Sequence, residues 1–203
     1  MNIKYLWLSL ILVGILFACK NGDNTNVKTA AAKSSVSPPK QKDLCAQLST
    51  DELRKILSLP NTIELSENFE IIESVQIQSC KKSWDNGESY GEVSLTIPAK
   101  AIPDAATAMK TFKRMNAALE KGVKQKGKTE TGNEVEFKYR ASFQPIDDIG
   151  DAAVWQPKKS MFVHAMLQFV SGNQIYTLHV DKNDTSDEDM LKYAKQIAQV
   201  ILK

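Results

Sequence analysis

The sequence predicts an α+β fold in which about three helices pack on one antiparallel sheet. Three observations lead there. Short stretches alternate apolar and polar residues, as half-buried strands do, and they follow one another with tight-turn signals between them. Other stretches carry apolar residues at helical spacing. The two kinds do not alternate strictly, which argues against the parallel sheet of a nucleotide-binding fold.

In "DLCAQLSTDELRKILSLP", Ser49 followed by Glu52 matches a capping box, and Leu48 is placed to staple against Leu53. Leu53, Ile56 and Leu57 give this helix a short apolar face, and Pro60 follows its stop. Alternation over Glu70–Trp84 predicts one half-buried strand, and "GEVSLTIP" repeats it through Val93, Leu95 and Ile97. Asp85-Asn86-Gly87 between them is a turn signal. Pro103-Asp104 opens a second helix, with Ala105, Met109, Phe112, Met115 and Leu119 at helical spacing, ending near Gly122. "VEFKYR" alternates again. "MFVHAMLQFV" and "NQIYTLHVD" then form a hairpin whose Gly172-Asn173 loop suits a type II′ turn. That loop sets Phe169 opposite Tyr176, Leu167 opposite Leu178 and Ala165 opposite Val180, so one face is apolar throughout. A last helix starts at Thr185 or Ser186 and buries Met190, Ala194, Ile197 and Ile201.

The chain divides into residues 1–18, 19–42 and 43–203. Lys4 and the apolar run from Leu6 to Ala18 read as an export signal, because a core of about 13 residues falls short of the roughly 20 that span a bilayer. The run stops at Leu16-Phe17-Ala18-Cys19, which resembles the lipobox of bacterial lipoproteins, with Phe17 bulkier than usual there. The resemblance implies cleavage before Cys19 and acyl chains on its thiol. Stable anchoring needs more than one chain, and the modification resembled supplies a diacylglycerol and often a third. An uncleaved anchor or an ordinary signal peptide is the alternative. Lys20–Lys42 carries no aromatic residue and reads as a disordered tether with a root-mean-square span of roughly 25 Å.

The remaining 161 residues (43–203) are the usual size of one domain. The formal charge of the chain is +2, which gives no bias toward nucleic acid. Beyond Cys19 there are two cysteines, Cys45 and Cys80. In an exported protein an even pair reads as a disulfide, the alternative being two buried free thiols.

Candidate chemistry is sparse. In the hairpin register above, His164 sits opposite Asp181 and diagonal to His179, and the three could ligate zinc. Polar residues on a wet sheet face are the plainer account, and no metal is expected. "DKNDTSDED" fails as a calcium loop, because Ser186 stands where glycine is needed and Lys192 where a bidentate glutamate is needed. Acids at a helix start explain it. Asp147, Asp148 and Asp151 around Gly150 could gather a hard cation, with a tight turn as the simpler reading. Lys121, Lys124, Lys126 and Lys128 could meet anionic headgroups, with a helix end and solvated loop as the simpler reading. There is no G-x-S-x-G elbow and no phosphate-cradling glycine loop.

"LCAQLSTDELRKIL", Cys80 with Trp84 behind it, "IDDIGDAAVW" and the closing amphipathic helix together resemble a family of small bacterial cell-envelope lipoproteins of unknown function. The resemblance covers about Asp43–Lys203. It implies a Cys45–Cys80 disulfide and a structural turn at Gly150-Asp151, and it brings no catalytic residues. Trp84 lies further from the cysteine than is usual in that family. The leading expectation is a lipid-anchored, non-enzymatic protein whose domain binds an envelope partner, with no cofactor and the membrane met through acyl chains on Cys19. Two alternatives stand beside it. One is a carrier of a small apolar ligand or lipid in a pocket lined by Trp84, Trp155 and Phe112. The other is a metal enzyme using His164, His179 and Asp181.

Overall fold

The computed structural model describes residues 41–128, 134–158 and 165–203. Cys19, the lipobox, most of the tether and His164 lie outside them. Helices α1 (Gln41–Ala46) and α2 (Thr50–Leu57) precede a meander of β1 (Ser66–Ile72), β2 (Ile77–Asp85) and β3 (Tyr90–Pro98). Helix α3 (Ala105–Lys121) leads into a separate ribbon, β4 (Val123–Lys128) and β5 (Glu134–Tyr139). The chain then adds β6 (Gln144–Ile146), β7 (Ala152–Gln156), β8 (Met166–Ser171), β9 (Gln174–Lys182) and α4 (Asp187–Ile201).

Seven strands form one sheet in the order β1-β2-β3-β9-β8-β7-β6, every neighbouring pair antiparallel. The predicted α+β class is therefore the observed one, with α2, α3 and α4 as its longer helices and α1 as an unforeseen short one. Val93, Leu95, Leu167, Phe169, Leu178 and Val180 line one face and pack on Leu53 and Leu57 of α2 and on Met190, Ala194 and Ile197 of α4. Burying each such side chain contributes roughly 1.5–3 kcal/mol. Lys182 Nζ donates to the Leu57 carbonyl at 2.8 Å, where a cation suits a helix C-terminus, and lies 5.5 Å from the Tyr193 ring centre, joining β9 to both helices.

The opposite face is covered at β8 and β9 by α3, whose Ala108 and Phe112 meet Val170 and Ile175. This corrects the expectation of a wet polar face there: Gln168 is fully buried and Thr177 nearly so. Gln168 Nε2 donates to the Thr177 hydroxyl at 3.4 Å.

The C-terminal hairpin keeps the expected register, Phe169 opposite Tyr176 and Leu167 opposite Leu178, and the Val180 N–H donates to the Ala165 carbonyl. Gly172 has a φ of 56° while Asn173 stays out of the left-handed region, as a type II′ loop requires. The expected single strand over Glu70–Trp84 is instead the end of β1, a turn and β2. Gln76 adopts a φ of 54°, and its side-chain amide donates to the Glu73 carbonyl at 2.7 Å, closing a turn without glycine, proline or asparagine. The lysine run is also reassigned. Only Lys121 ends a helix, and Lys124, Lys126 and Lys128 belong to β4, whose register sets Lys126 against Glu136 and Lys128 against Glu134.

Candidate functional site

The sheet leaves a cleft where α1 and the start of α2 cross β1 and β2. The Cys45–Cys80 disulfide stitches α1 to β2, with a Cα–Cα distance of 5.3 Å. Cys80 pairs with Phe69 and Lys82 pairs with Glu67 in the β1–β2 register, so Glu67, Phe69, Cys80 and Lys82 share the helix-facing side. Above them, Leu48 is buried, and it and Leu53, the two residues of the expected staple, both belong to the main core. The predicted capping box does not close, because Ser49 makes no side-chain cap hydrogen bond.

The cleft has a volume of about 610 Å³ and is lined by Cys45, Ala46, Leu48, Ser49, Glu67, Phe69 and Lys82. Its chemical peculiarity is Lys82, a lysine only 6% exposed on the core side of a strand, between Cys80 and Trp84. The ammonium reaches past the apolar lining to the Glu67 carboxylate, with the Thr50 hydroxyl 3.3 Å away. The ion pair therefore sits at the mouth, where Glu67 is half exposed, over a floor of Leu48, Phe69 and the disulfide. The Cys45 and Cys80 sulfurs and the Glu67 carboxylate lie within 4.8 Å of one another. Metal binding by cysteine needs thiolates, and here the two sulfurs are bonded to each other.

The other residues singled out from sequence fall elsewhere. Trp84 and Trp155 are buried in the main core, whereas Phe112 belongs to the cluster across the sheet. These three rings do not share a pocket, which corrects the carrier's expected lining. Trp84 lies over Gly91, and its indole N–H donates to the Ser89 hydroxyl at 3.3 Å. His179 and Asp181 stand two apart on β9, and Lys158 Nζ holds the Asp181 carboxylate at 2.8 Å. With His164 outside the described residues, the zinc trio is not assembled by what is described. Asp151 accepts a hydrogen bond from the Gly172 N–H at 2.7 Å, and its own N–H donates to the Val170 carbonyl. The acidic turn thus braces the β8–β9 loop, the simpler of its two readings. Glu67 and Lys82 form no motif in the sequence. The parity of Lys82 with Cys80 and Trp84 was the one available signal.

The fold and cleft define a disulfide-stapled α+β body in which β1, the last strand of the sheet among the described residues, borders a small amphipathic groove. No protein-family model and no curated protein matches the chain. Among solved structures it resembles the extracellular domain of PknH from Mycobacterium tuberculosis, at 12% identity and a TM-score of 0.44, covering 82% of this chain and 98% of that one. Among the described residues no helix is long and apolar enough to cross a membrane.

Proposed function

We propose that this chain is a lipid-anchored protein of the bacterial cell envelope whose α+β body binds an envelope partner and performs no catalysis. The observation that carries this reading is the junction at Leu16-Phe17-Ala18-Cys19, where an apolar run too short to span a bilayer meets a polar tether. The Cys45–Cys80 disulfide supports it, since such bonds persist in oxidising compartments outside the cytoplasm. The cleft supports binding: it brings together apolar side chains, one ion pair and an oxidised cysteine pair, a set suited to gripping a ligand.

The test is mass spectrometry of protein taken from its native membrane. The expected N-terminal peptide begins at Cys19 and carries the mass of a diacylglycerol, and Cys19→Ala abolishes both that mass and the cleavage, so that the protein retains residues 1–18. A peptide that retains Met1, or that bears an unmodified residue 19, overturns the anchor.

A further inference from the structure

We propose that the open edge of β1 is a peptide-recognition site that takes one extended strand of a partner polypeptide, with basic and apolar side chains alternating along it. This rests on the partner-binding reading above and names the surface and the chemistry.

The two edges of the sheet differ. At one end, β6 has three residues, and Pro145 is one of them. Shortness and proline are the ordinary ways of closing an edge to further pairing. At the other end, β1 has seven residues and contains no proline, and among the described residues β2 alone pairs with it, along one side. An added strand would find main-chain donors and acceptors along its length, which is how edge addition gains affinity. Specificity in that mode comes from pockets for alternate side chains, and β1 has one. Glu67, Phe69 and Ile71 have the same parity, and the first two line the cleft under α1. Ile71 extends this row beyond the cleft with 56% of its surface exposed, so an added strand would find apolar area there to cover.

Charge selects the occupant. Between Lys55 and Lys81 the chain has no Lys or Arg, yet it carries Glu64, Glu67, Glu70 and Glu73, all exposed. Within the cleft the cation Lys82 is already paired to Glu67. A second copy of β1 would bring like charges together and is disfavoured. A strand with Lys or Arg beside Glu67 and Glu70, and with Leu or Val beside Phe69 and Ile71, meets complementary groups on both faces.

The test uses the full-length protein in detergent and a fluorescent seven-residue probe, acetyl-Thr-Arg-Thr-Leu-Lys-Val-Lys-amide, which sets Arg and Lys at Glu67 and Glu70 and Leu and Val at Phe69 and Ile71, offered in both sequence orders because strand direction is not specified by the edge. Fluorescence anisotropy is expected to show saturable binding of one order. Methylating alternate backbone nitrogens on the pairing side should weaken it at least ten-fold, with charge and side chains unchanged. Ile71→Lys and the double change Glu70→Lys/Glu73→Lys should each weaken it by a similar factor, and both lie at exposed positions where the melting midpoint reports an intact fold. Hydrogen exchange should slow at residues 66–72 on binding. Equal affinity for the methylated probe, absence of binding by both orders, or protection confined to another part of the chain overturns the proposal. So does self-association with residues 66–72 protected before any probe is added, which would make a second copy the occupant. These results leave Cys19 acylation untouched, so failure at the edge and failure of the anchor are read separately.

Discussion

Replacing both Cys45 and Cys80 by alanine tests how the cleft is held. The bond spans a sequence separation of 35, and the chain-entropy treatment gives such a crosslink about 4 kcal/mol at 25 °C, mainly by restricting the denatured chain. Cys80 is fully buried and Cys45 nearly so, so alanine leaves small voids worth roughly 1 kcal/mol more. A body of ~160 residues unfolds with ~2.1 cal/mol/K of entropy per residue, so the combined loss corresponds to about 12–15 °C in the melting midpoint. Differential calorimetry reads that shift. A urea titration should in addition show a steeper slope, because the unlooped denatured chain exposes more surface. Since α1 is tethered through Cys45, hydrogen exchange at Leu44–Leu48 should accelerate more than at α4. A double variant melting within about 3 °C of the parent, with an unchanged slope, would refute the reasoning.

Three further outcomes are expected. Gly91→Ala places a Cβ 2.4 Å from both the Asp181 carbonyl oxygen and the Trp84 ring, so it should cost about 3 kcal/mol and alter the near-ultraviolet tryptophan signal; an unchanged spectrum and midpoint would contradict the packing. Glu67→Gln leaves the buried Lys82 ammonium without its counter-charge and should cost about 1–2 kcal/mol, whereas Lys82→Met, which removes the charge and keeps the stem, should be near neutral. Chemical denaturation measures both, and the reverse ranking would count against the ion pair as described. The Thr107 N–H and hydroxyl both donate to Asp104, the N-cap of α3, and hold its carboxyl below the usual carboxylate range. A depressed folded-state pKa stabilises above the ordinary value, and the effect is lost as pH falls through the lowered one. Asp104→Ala should therefore lower the midpoint at neutral pH, and its gap from the parent should narrow as pH falls below the ordinary carboxylate range, as paired thermal melts would reveal.

The elements that sequence predicted best carry their own punctuation. Gly172-Asn173 and Asp85-Asn86-Gly87 announce their turns, Asp104 and Ser186 cap their helices, and the apolar parity of β8 and β9 sets one register. Ser186 accepts from the Asp189 N–H at 3.1 Å, as the capping-box spacing suggests. The β1–β2 turn escaped because its left-handed residue is a glutamine, so the alternation of two strands ran together across it. Helix α1 is too short to show a period. The face of β8 and β9 away from the main core was misread as wet because a hairpin pattern does not reveal that a helix from earlier in the chain will lie across it. The cleft was the least legible part. It is assembled from α1, α2, β1 and β2, and its ion pair joins residues that only the observed hairpin register sets opposite each other.

The sheet is made of two meanders that meet at a single seam, where Gly91 lies against Lys182 and Thr96 against Thr177. The disulfide joins α1 to β2, so both of its cysteines precede this seam in the chain. A chain emerging N-terminus first can therefore lock its opening portion while the inner rim of β3 still lacks a neighbour. Completion waits for β9, one of the last segments to be delivered, and pairings this distant in sequence are slow to form. During that interval the molecule has two unpaired rims, and the one at β3 is lined by apolar side chains that later become the centre of the core.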